Sequence, residues 1–363
     1  MTQTLDQLSI ILIYSAMAVY ALAFIAFALD LARRSATVKK AVEAPGAEVA
    51  GADGVEGAAS ATGVEERMPA VAAVGAGGSS SARGATATAA ATGVGDDSGL
   101  VSLDGIDAAG KRSIALRLGV SFTVLGFVIQ IGGVVLRGIA ALRVPWANMY
   151  EFSITGTLLI VAVFLVVLLR EDLRFLGTFV IGLVLVLLGV STVNYYVSIV
   201  PLPPSLQSAW LVIHVLVAIL GTAFFALGGA LSVLQLLQTR GDSVGRIATA
   251  LRMRFLKTLP DSESLERTAY RLNIVGFVFW TFTLIAGAIW AERAWGRYWG
   301  WDTKEVWTFI IWVIYAGYIH ARATRGWRGS RSAWLAIVGF AAVLFNFGVV
   351  NVFFKGLHAY SGL

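Results

Sequence analysis

The sequence predicts an all-α membrane protein: a polytopic integral membrane helical bundle of about eight transmembrane helices, with both termini on the outer side. Three observations carry that expectation. Of 363 residues, 57% are hydrophobic and only 14% charged, with a mean hydropathy of +0.76, against roughly a quarter charged in soluble domains. Apolar runs of near 20 residues recur, each long enough for a hydrocarbon core of about 30 Å. None shows the ten-residue alternation of a membrane strand, so helices are expected rather than a barrel. Lysine and arginine are also shared unequally between alternate connections, as in helical membrane proteins of fixed orientation.

The apolar runs cover about 8–31, 115–136, 152–169, 175–194, 209–237, 273–291, 306–321 and 333–353. The first follows "MTQTLDQ", which has no positive n-region, and reads as a retained span rather than a cleaved signal. Three regions result: a first transmembrane helix at 1–34, a linker at 35–113 and a seven-helix membrane core at 114–363. The linker is rich in Ala, Gly, Ser and Thr and has no aromatic residue. Stretches such as "GAGGSSSARGATATAAATG" predict a disordered cytoplasmic tether with no chemistry of its own. The loop at 238–272 differs. Its apolar residues fall at helical spacing with arginines on the other face, which predicts an amphipathic helix on the anionic inner leaflet. A second short helix is expected from Ser262 or Ser264.

All but six of the 28 lysines and arginines fall in 32–117, 170–174, 238–272 and 322–331. The exceptions are Arg137, Arg143, Arg293, Arg297, Lys304 and Lys355. The positive-inside rule puts the rich side in the cytoplasm and both termini outside.

Cysteine is absent, which excludes disulfides, thiolate metal sites, iron–sulfur clusters and a cysteine nucleophile. The partners expected are the lipid membrane and what it carries; nucleic acid is not expected. Only three histidines occur, His214, His320 and His358. His214 is roughly 7–8 Å below the outer boundary of its span, and His358 lies beyond the last span on the same side. His320 is about 20 Å from Glu305 along the seventh span, toward the cytoplasm. A histidine near a helix end is often a plain interfacial residue, but ionisable groups in spans are costly and mark function. Two neutral outer imidazoles make an axial pair for a haem iron. Zinc would need further ligands, and the outer face offers only Glu151, Glu292, Asp302 and Glu305.

Between the outer histidines lies "WGRYWGWD", Trp295 to Asp302. If 292–305 formed a short outer helix, Trp295, Trp299 and Asp302 would share a narrow arc and Gly296 and Gly300 the next stripe. That surface would take a flat porphyrin, although the glycines weaken the helix. An interfacial aromatic belt explains tryptophans, but not the pattern W-G-x-x-W-x-W-D followed by "TKEVW".

"WGRYWGWDTKEVW" resembles the tryptophan-rich WWD motif of haem-handling membrane proteins, and most closely that of the cytochrome c assembly proteins of the CcsA/ResC type. The resemblance continues through "IIWVIYAGYIHAR" and "GLHAY", and upstream through "SAWLVIHV" and "WANMYEF". It covers about 140–363. The family often has Pro where this chain has Thr303, and the first span and the linker carry no match.

The resemblance implies a subunit of the System II cytochrome c synthase in the bacterial plasma membrane. His214 and His358 would be outer axial ligands of the iron of haem b. His320 would lie on an inner haem path, where the family pairs it with a histidine of a ResB-type partner. Trp295, Trp299, Trp301, Asp302, Gly296, Gly300 and Arg297 would form the surface that presents haem. Attachment to Cys-x-x-Cys-His of apocytochrome c would follow, with haem export or delivery alone as the alternative. Arg143, Arg293, Arg297 and Lys304 would be candidates for pairing with the propionates. Asp302 and Glu305 would hold the loop rather than act as acids. An ion or solute transporter is disfavoured, since the spans lack internal acids and an inverted repeat.

Overall fold

In the computed structural model the described residues are 2–43, 113–243, 256, 259–354 and 356–358. They form eight principal helices and no strand. These are α1 (Thr2–Glu43), α2 (Ile114–Ala141), α3 (Met149–Leu168), α4 (Gly177–Asn194), α5 (Ala209–Ser243), α6 (Ser262–Trp295), α7 (Thr303–Arg325) and α8 (Ser330–Phe345). A 3₁₀ turn, Arg174–Leu176, leads into α4, and a π-helical turn, Asn346–Val350, carries α8 on to Phe353. The protein is a multi-pass helical membrane protein. Among the described residues, seven of these helices are long and apolar enough to cross a membrane. The remaining one, α7, has 23 residues, enough for about 35 Å, but its tryptophans, tyrosines and His320 keep it more polar than the other seven.

The expected linker at 35–113 lies outside the described residues apart from its edges, and so do residues 244–255, 257 and 258 of the 238–272 loop, where an amphipathic helix is expected. At those edges α1 runs on to Glu43, past the expected end of the first helix. Ser113 caps α2 by accepting from Leu116 N. The second short helix expected at Ser262 is the start of α6, capped by Asp261 and continuous to Trp295.

The first three helices interlock through small residues and one amide. Ile13, Tyr20 and Phe27 of α1 sit directly over Gly133, Gly126 and Gly119 of α2, where an added Cβ would come within 2.7–2.8 Å of each side chain. In lipid, where apolar surface alone gives helices no reason to associate, such close van der Waals packing of large side chains over glycines is a main source of attraction. Gln130 of α2 completes the join: it accepts from Tyr20 OH (2.7 Å) and donates to Ile154 O and Thr157 Oγ1 of α3 (both 2.9 Å). The other half of the bundle packs aromatically, with Phe225 of α5 stacked on Tyr315 of α7 at 3.6 Å between ring centroids. Trp280 of α6 donates to Thr308 O across the α6–α7 seam.

Candidate functional site

The start of α5, the end of α6, the start of α7 and the end of α8 meet at one end of the bundle. His214 stands in the second turn of α5, with its Nδ1 2.9 Å from Thr283 O of α6. A carbonyl only accepts, so Nδ1 carries the proton and Nε2 is left with its lone pair. Gly287 makes the room, since a Cβ there would lie 2.8 Å from the imidazole. Trp290 stacks on the ring at 5.8 Å and 18°.

His358 is held by a different device. Asp302 is the N-cap of α7, accepting from Lys304 N (3.0 Å). The same carboxylate accepts from Leu357 N (2.8 Å) and faces His358 Nδ1 (3.0 Å). Glu305 closes the capping box, accepting from Gly300 N (2.8 Å) and Asp302 N (3.1 Å). One cap therefore anchors the segment after α8 to the start of α7. The His358 ring, with the backbone N–H groups of Lys304 and Leu357, pulls the Asp302 carboxyl down to about 2. Donation from Nδ1 to the carboxylate again leaves Nε2 free, the arrangement that orients and strengthens a metal-ligating histidine. Trp295 and Trp290 meet this ring edge-on at 5.0 and 5.5 Å.

His214, His358 and Lys304 together line two clefts, with about 420 and 550 Å³ of empty space, part of it open to solvent. Tyr298, Trp299, Glu305 and Thr308 complete one. Trp146, Met149, Phe152, Leu206, Trp290 and Asn351 lie on the other. Lys304 donates to Asn351 Oδ1.

The 146–149 wall of the second cleft is fixed by a buried charge network. Glu151 accepts from Ala147 N (3.1 Å) and Arg137 Nε (3.1 Å) and pairs with Arg143. Arg137, fully buried, also pairs with Asp6 of α1 and donates to Val197 O. Each buried charge is thus met by an opposite charge, which its desolvation requires.

The structure therefore brings together His214, His358, Trp295, Trp299 and Asp302. It does not bring His320, which sits on the exposed side of α7 toward its far end. The short helix considered for 292–305 is not formed. Gly296 ends α6 in a left-handed conformation (φ 69°), and the chain runs on without helix until Asp302 caps α7. Trp295 ends one helix and Trp299 lies in the loop, so they do not share one helical arc. Gly300 lies under the Arg297 guanidinium, not beside a glycine stripe. Trp301 is 78% exposed and also left-handed, at φ 58°. Of the four cations considered for propionates, Arg143 is committed to Glu151, Arg293 and Arg297 are exposed, and Lys304 alone lines the clefts. Sequence reasoning missed Thr283, Gly287, Trp290 and Asn351. Trp290 and Gly287 carried a signal: they occupy the last turns of the helix leading into the tryptophan stretch.

Two imidazoles, each with one free nitrogen and indoles against them, fit a planar macrocycle with axial ligands. A bare ion is served less well, since no three His, Asp or Glu converge on one point among the described residues.

Fold and site define a class: a polytopic helical membrane protein with paired histidines at one end of its bundle. Residues 146–358 match the family described as Cytochrome C assembly protein, and the chain belongs to that family. The match runs from Trp146 to His358, the span over which the site is assembled. The cytochrome c biogenesis protein CcsA of Guillardia theta is 36% identical over 60% of this chain and 77% of its own. Its counterpart in Synechococcus sp. (strain CC9902) is 38% identical over 45% of this chain and 59% of its own. Among solved structures, Cytochrome c Heme Lyase CcmF superposes with a TM-score of 0.51 at 18% identity, over 69% of this chain and 45% of that one. That likeness is one of fold. Membership of the family places the protein in cytochrome c biogenesis.

Proposed function

We propose that the protein holds haem b between His214 and His358 and presents it, on the outer face of the membrane, for covalent attachment to apocytochrome c. The observation that carries this reading is the matched state of the two imidazoles. Each has Nδ1 engaged, by Thr283 O or by the Asp302 carboxylate, so each offers Nε2 to a ligand in the clefts they share. The chain's own contribution is orientation. Two axial ligands and the surface of Trp290, Trp295 and Trp299 would fix the haem, so that encounter with the apocytochrome becomes nearly intramolecular. In attachment, each substrate thiol S–H adds across a vinyl C=C, the sulfur to one carbon and the hydrogen to the other, with no leaving group. Nothing in that step asks for an acid or base from this chain, in keeping with Asp302 and Glu305 being used as helix caps. The proposal includes a bacterial plasma membrane, both termini outside, a ResB-type partner, and a role for His320 at the inner end beside that partner.

The test is spectroscopic. The full chain, purified with its partner, is expected to carry low-spin haem with two imidazole ligands. His214→Ala with His358→Ala is expected to lose that spectrum and most of the haem. Unchanged spectrum and yield in the double variant would sink the assignment. Production of c-type cytochrome in a host without its own system separates attachment from delivery, since delivery alone leaves haem on the protein and no thioether product.

A further inference from the structure

Resting on the haem-site reading, we propose that Lys304 is a carboxylate-binding subsite of that site, which selects porphyrins carrying free acid side chains. Among the described residues, it is the one lysine or arginine lining either cleft, and it lines both, together with both histidines. A macrocycle held by the two Nε2 atoms therefore borders Lys304.

Among the described residues its ammonium makes no direct ion pair, and the Asp302 carboxylate acts on it only from farther off. The nearby carboxylates are engaged: Asp302 by Lys304 N, Leu357 N and the His358 ring, and Glu305 by Gly300 N and Asp302 N. Among the described residues no carboxylate oxygen comes within ion-pair distance of Lys304 Nζ, and the partner it has is the neutral amide oxygen of Asn351. Arg137 and Arg143 at the same end are each paired with carboxylates. Taking a charge from water without a contacting counter-charge is costly, and Lys304 lies on the walls of both clefts. An anionic group on the ligand supplies that counter-charge. An ammonium is a compact point charge with three rotatable donors, so it can meet a carboxylate without the fixed fork of an arginine.

The experiment titrates purified full-length protein in detergent with haem and with haem dimethyl ester, which has the same iron and ring but no charge on its side chains. Absorbance reports bis-imidazole ligation and quenching of tryptophan fluorescence reports affinity. Wild type is expected to hold haem about tenfold tighter than the ester, the scale of one charge-assisted hydrogen bond. Lys304→Met is expected to close most of that gap by weakening haem alone, with the ester's affinity and the low-spin spectrum kept. Lys304→Arg is expected to retain part of the gap. Equal weakening of both porphyrins in Lys304→Met would show a positioning role through Asn351 and overturn the proposal. Wild type that binds both equally would overturn the Lys304 assignment alone. Wild type that gives no bis-imidazole spectrum with either would overturn the haem reading and this proposal with it.

Discussion

Gly287 shows how narrow the tolerances around His214 are. A methyl group there would meet the imidazole at 2.8 Å, closer than carbon atoms pack, so the ring must move. The same change favours the helix itself, by roughly 1 kcal/mol at an unconstrained position. Gly287→Ala is therefore expected to fold and express like wild type yet retain severalfold less haem, because ligands tolerate only about 0.5 Å of displacement. Haem content per folded protein measures it, and wild-type retention would refute the packing argument. Residue by residue, the site was partly legible in the sequence. The histidines and tryptophans stood out because they are rare and their topology put two histidines on one side. Asp302 was expected to hold the loop, and it does, through an ordinary capping box. Thr283, Gly287 and Asn351 were not legible, because a backbone carbonyl, a missing Cβ and a neutral amide acquire roles only from what folds against them.

Helix existence was legible from apolar run length, while helix ends and pairings were not. The tryptophan stretch had helical spacing on paper, but Gly296 and the Asp302–Glu305 box set a stop and a start within seven residues, and local capping outweighed periodicity. The α1–α2 seam matches glycines at 119, 126 and 133, seven apart, with Ile13, Tyr20 and Phe27, also seven apart, a pairing that only the packed structure reveals. That seam supplies a prediction about an element rather than the site. Gly126→Leu would drive a side chain into Tyr20, whose hydroxyl is bonded to Gln130. Overpacking of this kind costs about 1–3 kcal/mol. Thermal unfolding in detergent should show a lowered midpoint, whereas Val128→Leu, on an exposed face (57%) of the same helix, should leave it unchanged. Equal effects from the two would remove the seam from the account of stability.

At the scale of the whole molecule, the two ends of the bundle are fastened by charge in different ways, and this bears on orientation. The far end is tied by Glu266, which pairs with Arg322 and accepts from Gln235 Nε2 (3.2 Å) and Gly329 N (2.8 Å), beside many further arginines. At the site end, Arg137 and Arg143 are buried with Asp6 and Glu151, and Lys304 turns into the clefts. Half of the six basic residues assigned to the site end are thus withdrawn from the membrane surface. By the positive-inside rule this distribution supports the proposed outer placement of the site. The natural absence of cysteine allows a direct test on the intact protein. Val200→Cys is in the exposed loop (57%) between α4 and α5 at the site end, and Arg328→Cys is between α7 and α8 at the other. In intact cells a membrane-impermeant maleimide should label the first variant and not the second, which should react only after permeabilisation. The reverse pattern would place the histidine pair on the cytoplasmic side, where haem could be received but not joined to an exported apocytochrome, and would overturn the outer-face reading while leaving the ligand assignment standing.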